Sequence, residues 1–142
     1  MRSRPEMSVA AWGVHLFTAS GAVLALLALN AVEEGNEPAA LAWLGIALIV
    51  DGVDGTLARA AKVREQVPNI DGAVLDLVVD YLSYVFVPAL LIWRGDYLPP
   101  TMAVPIIAGI LISSLYVFAR RDMKTDDGYF LGFPALWNVT AL

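Results

Sequence analysis

The chain has 142 residues, of which 58% are hydrophobic and only 16% are charged. An average soluble domain is about half apolar and about a quarter charged, so this composition excludes a disordered chain and disfavours an ordinary soluble domain. The absence of cysteine and the single histidine exclude disulfides, thiolate metal sites and a His-rich zinc site. A formal net charge of −5 argues against nucleic acid as a partner.

Apolar residues are concentrated in four runs that are long enough to cross a bilayer. A span needs about 20 residues, at about 1.5 Å per residue, to cover the roughly 30 Å hydrocarbon core. The predicted spans are residues 10–32, 39–59, 71–93 and 101–119. We therefore predict an all-α, polytopic transmembrane helix bundle that forms a single domain over residues 1–142. Pro88 is expected to distort the third span.

A fifth apolar run begins at Phe130 and reaches Leu142, the last residue of the sequence. A run of 13 residues (130–142) is too short to cross a bilayer. We interpret it as the start of a fifth span. The expected architecture is the N-terminal portion of a bundle that has six or more helices.

Basic residues are distributed unevenly between the two predicted sides of the membrane. Alternating spans place eight of the nine lysines and arginines on the side of the N-terminus, and only Arg94 on the other side. Because lysine and arginine favour the cytoplasmic side, we predict a cytoplasmic N-terminus. The end of the second span and the start of the third then also face the cytoplasm.

Two pairs of aspartates lie where the second span ends and the third begins. Asp51 and Asp54 are three residues apart, and Asp76 and Asp80 are four residues apart. Both spacings place the two carboxylates of a pair on one face of a helix. Consecutive spans are antiparallel, so the two pairs lie at a similar depth. We therefore expect the four carboxylates to converge on one spot. Asp71, by contrast, is interpreted as the N-cap of the third helix.

Four uncompensated carboxylates within a membrane are unfavourable, at about 3 kcal/mol or more for each charged residue near the bilayer centre. A divalent cation offsets both their burial and their mutual repulsion, and carboxylate ligands suit Mg²⁺, Mn²⁺ or Ca²⁺. Two such ions would clamp a phosphoryl group during an in-line displacement. A purely structural role for all four aspartates fits this arrangement badly.

Three glycines accompany the aspartates, at Gly52, Gly55 and Gly72. Each lowers helix propensity by about 1 kcal/mol in an exposed helix. Close approach of a bulky ligand to the backbone would offset this loss. Arg59, one turn after Gly55, is placed to contact a phosphate.

These residues form the pattern D-x-x-D-G-x-x-A-R at positions 51–59 and G-x-x-x-D-x-x-x-D at positions 72–80. The pattern resembles the signature of the CDP-alcohol phosphotransferases (CDP-alcohol phosphatidyltransferases), and every fixed position of that signature is present. The 12-residue spacer, 60–71, is longer than is usual in the family. The long spacer and four further segments resemble the bacterial members of this family whose acceptor is choline. The four segments are 15–21, 68–72, 80–85 and 124–138.

The resemblance implies transfer of the phosphatidyl group from CDP-diacylglycerol to choline, with CMP and phosphatidylcholine as products. It implies that two divalent metal ions, Mg²⁺ or Mn²⁺, are bound by four aspartates: Asp51, Asp54, Asp76 and Asp80. Asp80 would also be the catalytic base that takes the proton of the acceptor hydroxyl. The implied cytidine diphosphate pocket consists of Gly55, Ala58, Arg59, Gly72 and Asp76. A bacterial inner-membrane location, with a cytoplasmic active site, and a homodimer are implied as well.

Choline carries a quaternary ammonium group, which aromatic faces bind. The candidates are Tyr81, Tyr84, Tyr116 and Trp137. For each of them, packing or anchoring at the membrane interface is the simpler explanation. His15 is likewise interpreted as a packing or interfacial residue.

Three alternatives stay open at this point. The acceptor is another alcohol, such as glycerol 3-phosphate, inositol phosphate or serine; the protein is a divalent-cation transporter; or the chain binds metal and nucleotide without turnover. A phosphorylated acceptor needs a basic pocket, for which only residues 120–124 are candidates. A transporter has no need of the Gly55, Ala58, Arg59 and Gly72 pattern. Both observations favour choline transfer.

Overall fold

The computed structural model describes residues 9–119, which contain helices and no strand. In chain order the elements are α1 (Val9–Glu33), α2 (Glu37–Ala60), α3 (Val63–Gln66), α4 (Gly72–Tyr81), a π-helix (Leu82–Phe86), α5 (Val87–Arg94) and α6 (Pro100–Ala119). The elements α4, π-helix and α5 follow one another without a break.

Four helical stretches of the described chain are long and apolar enough to cross a membrane. They are Val9–Glu33, Glu37–Ala60, Gly72–Arg94 and Pro100–Ala119. The predicted all-α transmembrane bundle is therefore confirmed, with span limits that differ from the predicted ones by only a few residues. The short run predicted at 130–142 lies outside the described residues.

The first turn of the bundle ends α1 and starts α2 by local interactions. Gly35 has a φ of +70°, in the left-handed region that glycine adopts without strain. Asn36 caps α2, because its side-chain oxygen accepts a hydrogen bond from the Ala39 N–H at 3.2 Å. Pro38 occupies the first turn of α2, where a missing N–H has no effect on the helical ladder.

Helix α1 lies at the centre of the bundle, packed against α2, α3, α4, α5 and the π-helix. Its side toward α2 and α5 presents small buried residues, Ala25, Ala28 and Ala31. Small side chains let helices approach closely, which supplies the packing energy that lipid-exposed helices otherwise lack. Leu44 of α2 and Leu91 of α5 complete this cluster.

The distortion expected near Pro88 is a π-helix in the turn that precedes the proline. The Val87 N–H donates to the Leu82 carbonyl, five residues back. Pro88 has no N–H and so cannot donate the next bond of an α-helical ladder. The third span therefore accommodates one extra residue between Asp80 and the apolar segment of α5.

Two polar turns meet at the end of the bundle where α2 begins. Arg94 Nη2 lies 3.1 Å from Glu33 Oε1, and the Tyr97 hydroxyl donates to Glu37 Oε2 at 2.9 Å. The neighbouring carboxylate raises the pKa of the Tyr97 phenol, because it disfavours the phenolate. These contacts confirm that turns 33–38 and 94–100 share one side. Which side faces the cytoplasm stays a prediction.

Gly21 sets the close contact between α1 and α4, because a Cβ there would overlap Cγ1 of Val79. We expect Gly21→Ala to lower the free energy of unfolding by about 1–3 kcal/mol through overpacking. Thermal unfolding in detergent measures the effect. Gly13→Ala is the control, since a Cβ at Gly13 meets nothing within 4 Å and the gain in helix propensity is the same. Equal stability of the two variants would contradict this packing.

Candidate metal centre and nucleotide cavity

The aspartates of α4 are positioned by a capped helix start. Asp71 accepts hydrogen bonds from the Ala73 N–H at 3.0 Å and the Val74 N–H at 3.4 Å. Asp71 is therefore the N-cap residue, as predicted. The cap fixes where α4 begins and hence which of its faces carries Asp76 and Asp80.

Three of the four predicted metal ligands converge between α2 and α4. One carboxylate oxygen from each of Asp51, Asp76 and Asp80 lies within 4.8 Å of the other two, and all three residues are partly buried. Ligand oxygens lie about 2.0–2.1 Å from Mg²⁺ and about 2.3–2.6 Å from Ca²⁺, so two oxygens on one ion are at most about 4.2 Å or about 5.2 Å apart, which is close to the separation found here. The donor set fits a hard divalent cation, which also neutralises three carboxylates that otherwise repel one another.

Asp54 does not belong to this group of three. It is only 6% exposed and forms a side-chain hydrogen bond with Thr18 of α1. A spacing of three residues turns Asp54 by about 60° from Asp51 around α2, given about 100° per residue. The structure therefore brings together three of the predicted ligands and places the fourth next to them, toward α1.

A cavity of about 440 Å³ lies beside the carboxylates. Its wall contains the whole predicted nucleotide pocket together with Asp54, that is, Asp54, Gly55, Ala58, Arg59, Gly72 and Asp76. Small-molecule sites commonly have volumes of about 300–1,000 Å³. Asp76 belongs both to the cavity wall and to the group of three carboxylates. A ligand in the cavity is therefore adjacent to the candidate metal site.

The cavity wall also carries basic side chains. Arg59 and Lys62 line it, along with the acidic Glu65. Arg59 follows Gly55 by about one helical turn. Its guanidinium donates a hydrogen bond to Thr56 Oγ1 at 3.1 Å, which restrains the side chain at the cavity wall. The same cavity thus combines carboxylates suited to a cation with basic groups suited to a phosphate.

His15 is a residue of the cavity that sequence reasoning assigned to packing. It lines the cavity, is only 6% exposed, and its buried Nε2 has no hydrogen-bond partner among residues 9–119. A Cβ on Gly72 would lie 3.2 Å from Cε1 of His15. Gly72 therefore lets the imidazole lie against α4. The sequence does not predict this contact, because His15 and Gly72 are far apart in the chain.

Packing does not explain the other two glycines. A Cβ on Gly52 would meet nothing within 4 Å, and one on Gly55 would make an ordinary 3.6 Å contact with Arg59. Contacts within residues 9–119 therefore do not require glycine at either position. Approach of a ligand to the α2 backbone stays the explanation that we favour.

The aromatic residues considered for choline occupy different surroundings. The Tyr81 hydroxyl donates to the Leu111 carbonyl at 3.1 Å, and the Tyr84 hydroxyl donates to Asp51. Tyr116 is 72% exposed. Trp137, like the basic residues at 120–124, lies outside the described residues. Within residues 9–119, these side chains stay candidates without an assigned contact to choline.

Comparison with known proteins gives the class of this chain. Residues 10–135 match the family model described as CDP-alcohol phosphatidyltransferase. The chain therefore belongs to the CDP-alcohol phosphatidyltransferase family, which confirms the resemblance seen in its aspartate signature.

Curated relatives of the chain are named phosphatidylcholine synthase. The protein of Pseudomonas aeruginosa is 54% identical over 97% of this chain and 58% of its own length. That of Borreliella burgdorferi is 46% identical over 92% and 56%, and that of Bradyrhizobium diazoefficiens is 47% identical over 99% and 53%. The chain spans about half the length of these relatives. No solved structure gives a significant match.

Gly72→Ala tests the contact that shapes the cavity. The new methyl group is expected to displace His15 and to weaken CDP binding about tenfold, because overpacking of about 1.4 kcal/mol corresponds to that factor. Titration of the purified protein with CDP measures the affinity. Gly45→Ala is the control, since a Cβ there meets nothing within 4 Å. An unchanged affinity in Gly72→Ala would remove this contact from the site.

Proposed function

We propose that the chain carries the catalytic site of a transferase that moves the phosphatidyl group from CDP-diacylglycerol to choline. The products are CMP and phosphatidylcholine. The observation that carries this proposal is the adjacency of the Asp51, Asp76 and Asp80 carboxylates to a cavity lined by the rest of the family signature. Choline is the acceptor supported by the relatives, which are named phosphatidylcholine synthase.

The three carboxylates are proposed to hold a divalent cation, Mg²⁺ or Mn²⁺, and Asp54 to contribute to a second one. When bound, the ions supply positive charge that neutralises the diphosphate and stabilises CMP as it leaves. Arg59 is proposed to contact a phosphate, because it lines the cavity at the end of α2. Gly55, Ala58, Gly72 and Asp76 complete the proposed cytidine diphosphate pocket.

Asp80 is proposed to be the general base. The choline hydroxyl loses its proton to the Asp80 carboxylate while its oxygen forms a bond to the phosphorus on the diacylglycerol side. The bond between this phosphorus and the CMP oxygen breaks, and CMP leaves with the electron pair. Asp80 is one turn beyond Asp76 and is not among the residues that line the cavity. Its carboxylate groups with those of Asp51 and Asp76, so a base at Asp80 would act next to the ions that neutralise the diphosphate.

The proposed location is the bacterial inner membrane, with the N-terminus and the cavity on the cytoplasmic side. The four spans support a multi-pass membrane protein. The cavity lies near α3, at the end of the bundle opposite the turns that hold Glu33 and Arg94. The excess of lysine and arginine at the α3 end supports its cytoplasmic placement. A homodimer stays a prediction of the family resemblance.

A choline-dependent CMP-release assay tests the function. Purified protein in lipid nanodiscs is given CDP-diacylglycerol, Mg²⁺ or Mn²⁺, and one acceptor from a panel of choline, glycerol 3-phosphate, inositol phosphate and serine. We expect CMP release that needs choline and is abolished by a chelator. The phosphatidylcholine synthase of Pseudomonas aeruginosa is the positive control.

Other outcomes of this assay identify the alternatives. Release with a different acceptor would contradict the assignment of choline. Metal flux in proteoliposomes without CMP release would favour a transporter, which does not account for the cavity lined by Gly55, Ala58, Arg59 and Gly72. CDP binding without release by any acceptor would favour a chain that binds ligands without turnover.

Asp80→Asn tests the general base. Asparagine keeps an oxygen ligand but cannot accept the proton, so we expect CDP binding to persist and turnover to fall by at least about 100-fold, the lower limit for such catalysis. CMP release at saturating Mn²⁺ and CDP titration measure the two properties. Asp96→Asn, in the turn at the opposite end of the bundle, is the control. Wild-type turnover in Asp80→Asn would eliminate the assignment.

A further inference from the structure

Tyr84 is a buried tyrosine whose hydroxyl reaches the proposed metal centre. It is only 4% exposed, and the hydroxyl donates to Oδ2 of Asp51. The two residues belong to different helices and are 33 positions apart in the sequence. The contact therefore links the π-helix of the third span to the carboxylate contributed by α2.

The π-helix explains how the third span makes this contact. Asp76, Asp80 and Tyr84 follow at intervals of four, which places them along one helix face. The extra residue in the π-helix turns the following segment by about 100° relative to an uninterrupted α-helix. Val87 and Leu91 of α5 then pack in the alanine cluster of α1. Thus Asp76, Asp80 and Tyr84 face Asp51, and the segment from Val87 onward fills the core. Such π-turns occur frequently at functional sites.

The hydrogen bond has a direct consequence for Asp51. Asp51 also forms a side-chain hydrogen bond with Asp80, and wherever Asp51, Asp76 and Asp80 are ionised without a cation they repel one another. The Tyr84 hydroxyl holds one oxygen of Asp51, which fixes the rotation of the carboxylate. Ligating carboxylates are commonly oriented by such partners, whose loss weakens metal binding by about 10–100-fold.

We propose that Tyr84 is a positioning residue that orients Asp51 for cation binding through the hydrogen bond between their side chains. The inference rests on the metal centre of the proposed function. It assigns Tyr84 to the support of a ligand and not to the recognition of choline.

Tyr81 provides a matched comparison within the same span. Its hydroxyl also donates a hydrogen bond, but to the Leu111 carbonyl of α6 at 3.1 Å. Its ring packs against Phe118, with 5.8 Å between ring centroids. Removal of either hydroxyl deletes one hydrogen bond to a neighbouring helix, whereas only Tyr84 contacts a carboxylate of the metal centre.

The test compares Mn²⁺ binding by the wild type, Tyr84→Phe and Tyr81→Phe in detergent. Free Mn²⁺ is followed by electron paramagnetic resonance, and thermal unfolding without metal reports the stability of each protein. We expect Tyr84→Phe to weaken Mn²⁺ binding by about 10–100-fold. Tyr81→Phe is expected to keep the wild-type affinity. Phenylalanine retains the ring packing at both positions, and circular dichroism confirms that both variants are helical.

Each outcome decides a separate question. Equal Mn²⁺ affinity in the wild type and Tyr84→Phe would overturn the positioning role and leave the proposed function intact. Equal loss of affinity in both variants would also overturn it, because the effect would then be general to the bundle. Absence of Mn²⁺ binding in the wild type would overturn the proposed metal centre itself.

Discussion

The close approach of the Asp51, Asp76 and Asp80 carboxylates is the constraint on which the rest of the site depends. Like charges in a partly buried position repel one another, so the surrounding structure has to hold them together before a cation arrives. Several local features serve this requirement at once. The Asp71 cap fixes the start of α4, and the small Gly21 lets α4 lie close to α1. Helix packing therefore determines where the carboxylates lie, and the proposed chemistry depends on that packing.

The two ends of the bundle have different roles, because one end holds the alanine cluster and the other borders the cavity. At one end, alanines of α1 pack tightly with α2 and α5, and polar contacts between the turns close the structure. At the other end, α1 presents His15 and Thr18, which border an open cavity. The alanine cluster supplies stability, and the cavity, next to a second buried cluster of Ala11, Val63 and Val67, supplies space for a ligand. A membrane bundle gains little from burying apolar residues away from lipid, so close contact between small side chains takes over that role.

Patterns within single helices could be predicted from the sequence, whereas contacts between distant residues could not. Hydropathy predicted all four spans of the described chain, and the spacing of the aspartates predicted their meeting. The same spacing was a weaker guide for Asp54, because a step of three residues turns its side chain toward α1. The hydrogen bond between Tyr84 and Asp51 depends on the π-helix that contains Tyr84. The packing of His15 against Gly72 depends on how α1 and α4 are rotated toward each other. No local pattern determines these contacts, so the sequence alone favours packing or interfacial roles for both residues.

The contact between His15 and Gly72 also bears on how this site changes during evolution. A Cβ at position 72 would lie 3.2 Å from Cε1 of His15, so even alanine there requires the imidazole to move by a few tenths of an ångström. The two positions, far apart in the chain, therefore share one volume and are not free to vary independently. A side chain larger than alanine at position 72 therefore favours a smaller residue at position 15, or a shift of α1 away from α4. Through that shared volume, a substitution in the first span limits which residues the aspartate signature itself tolerates.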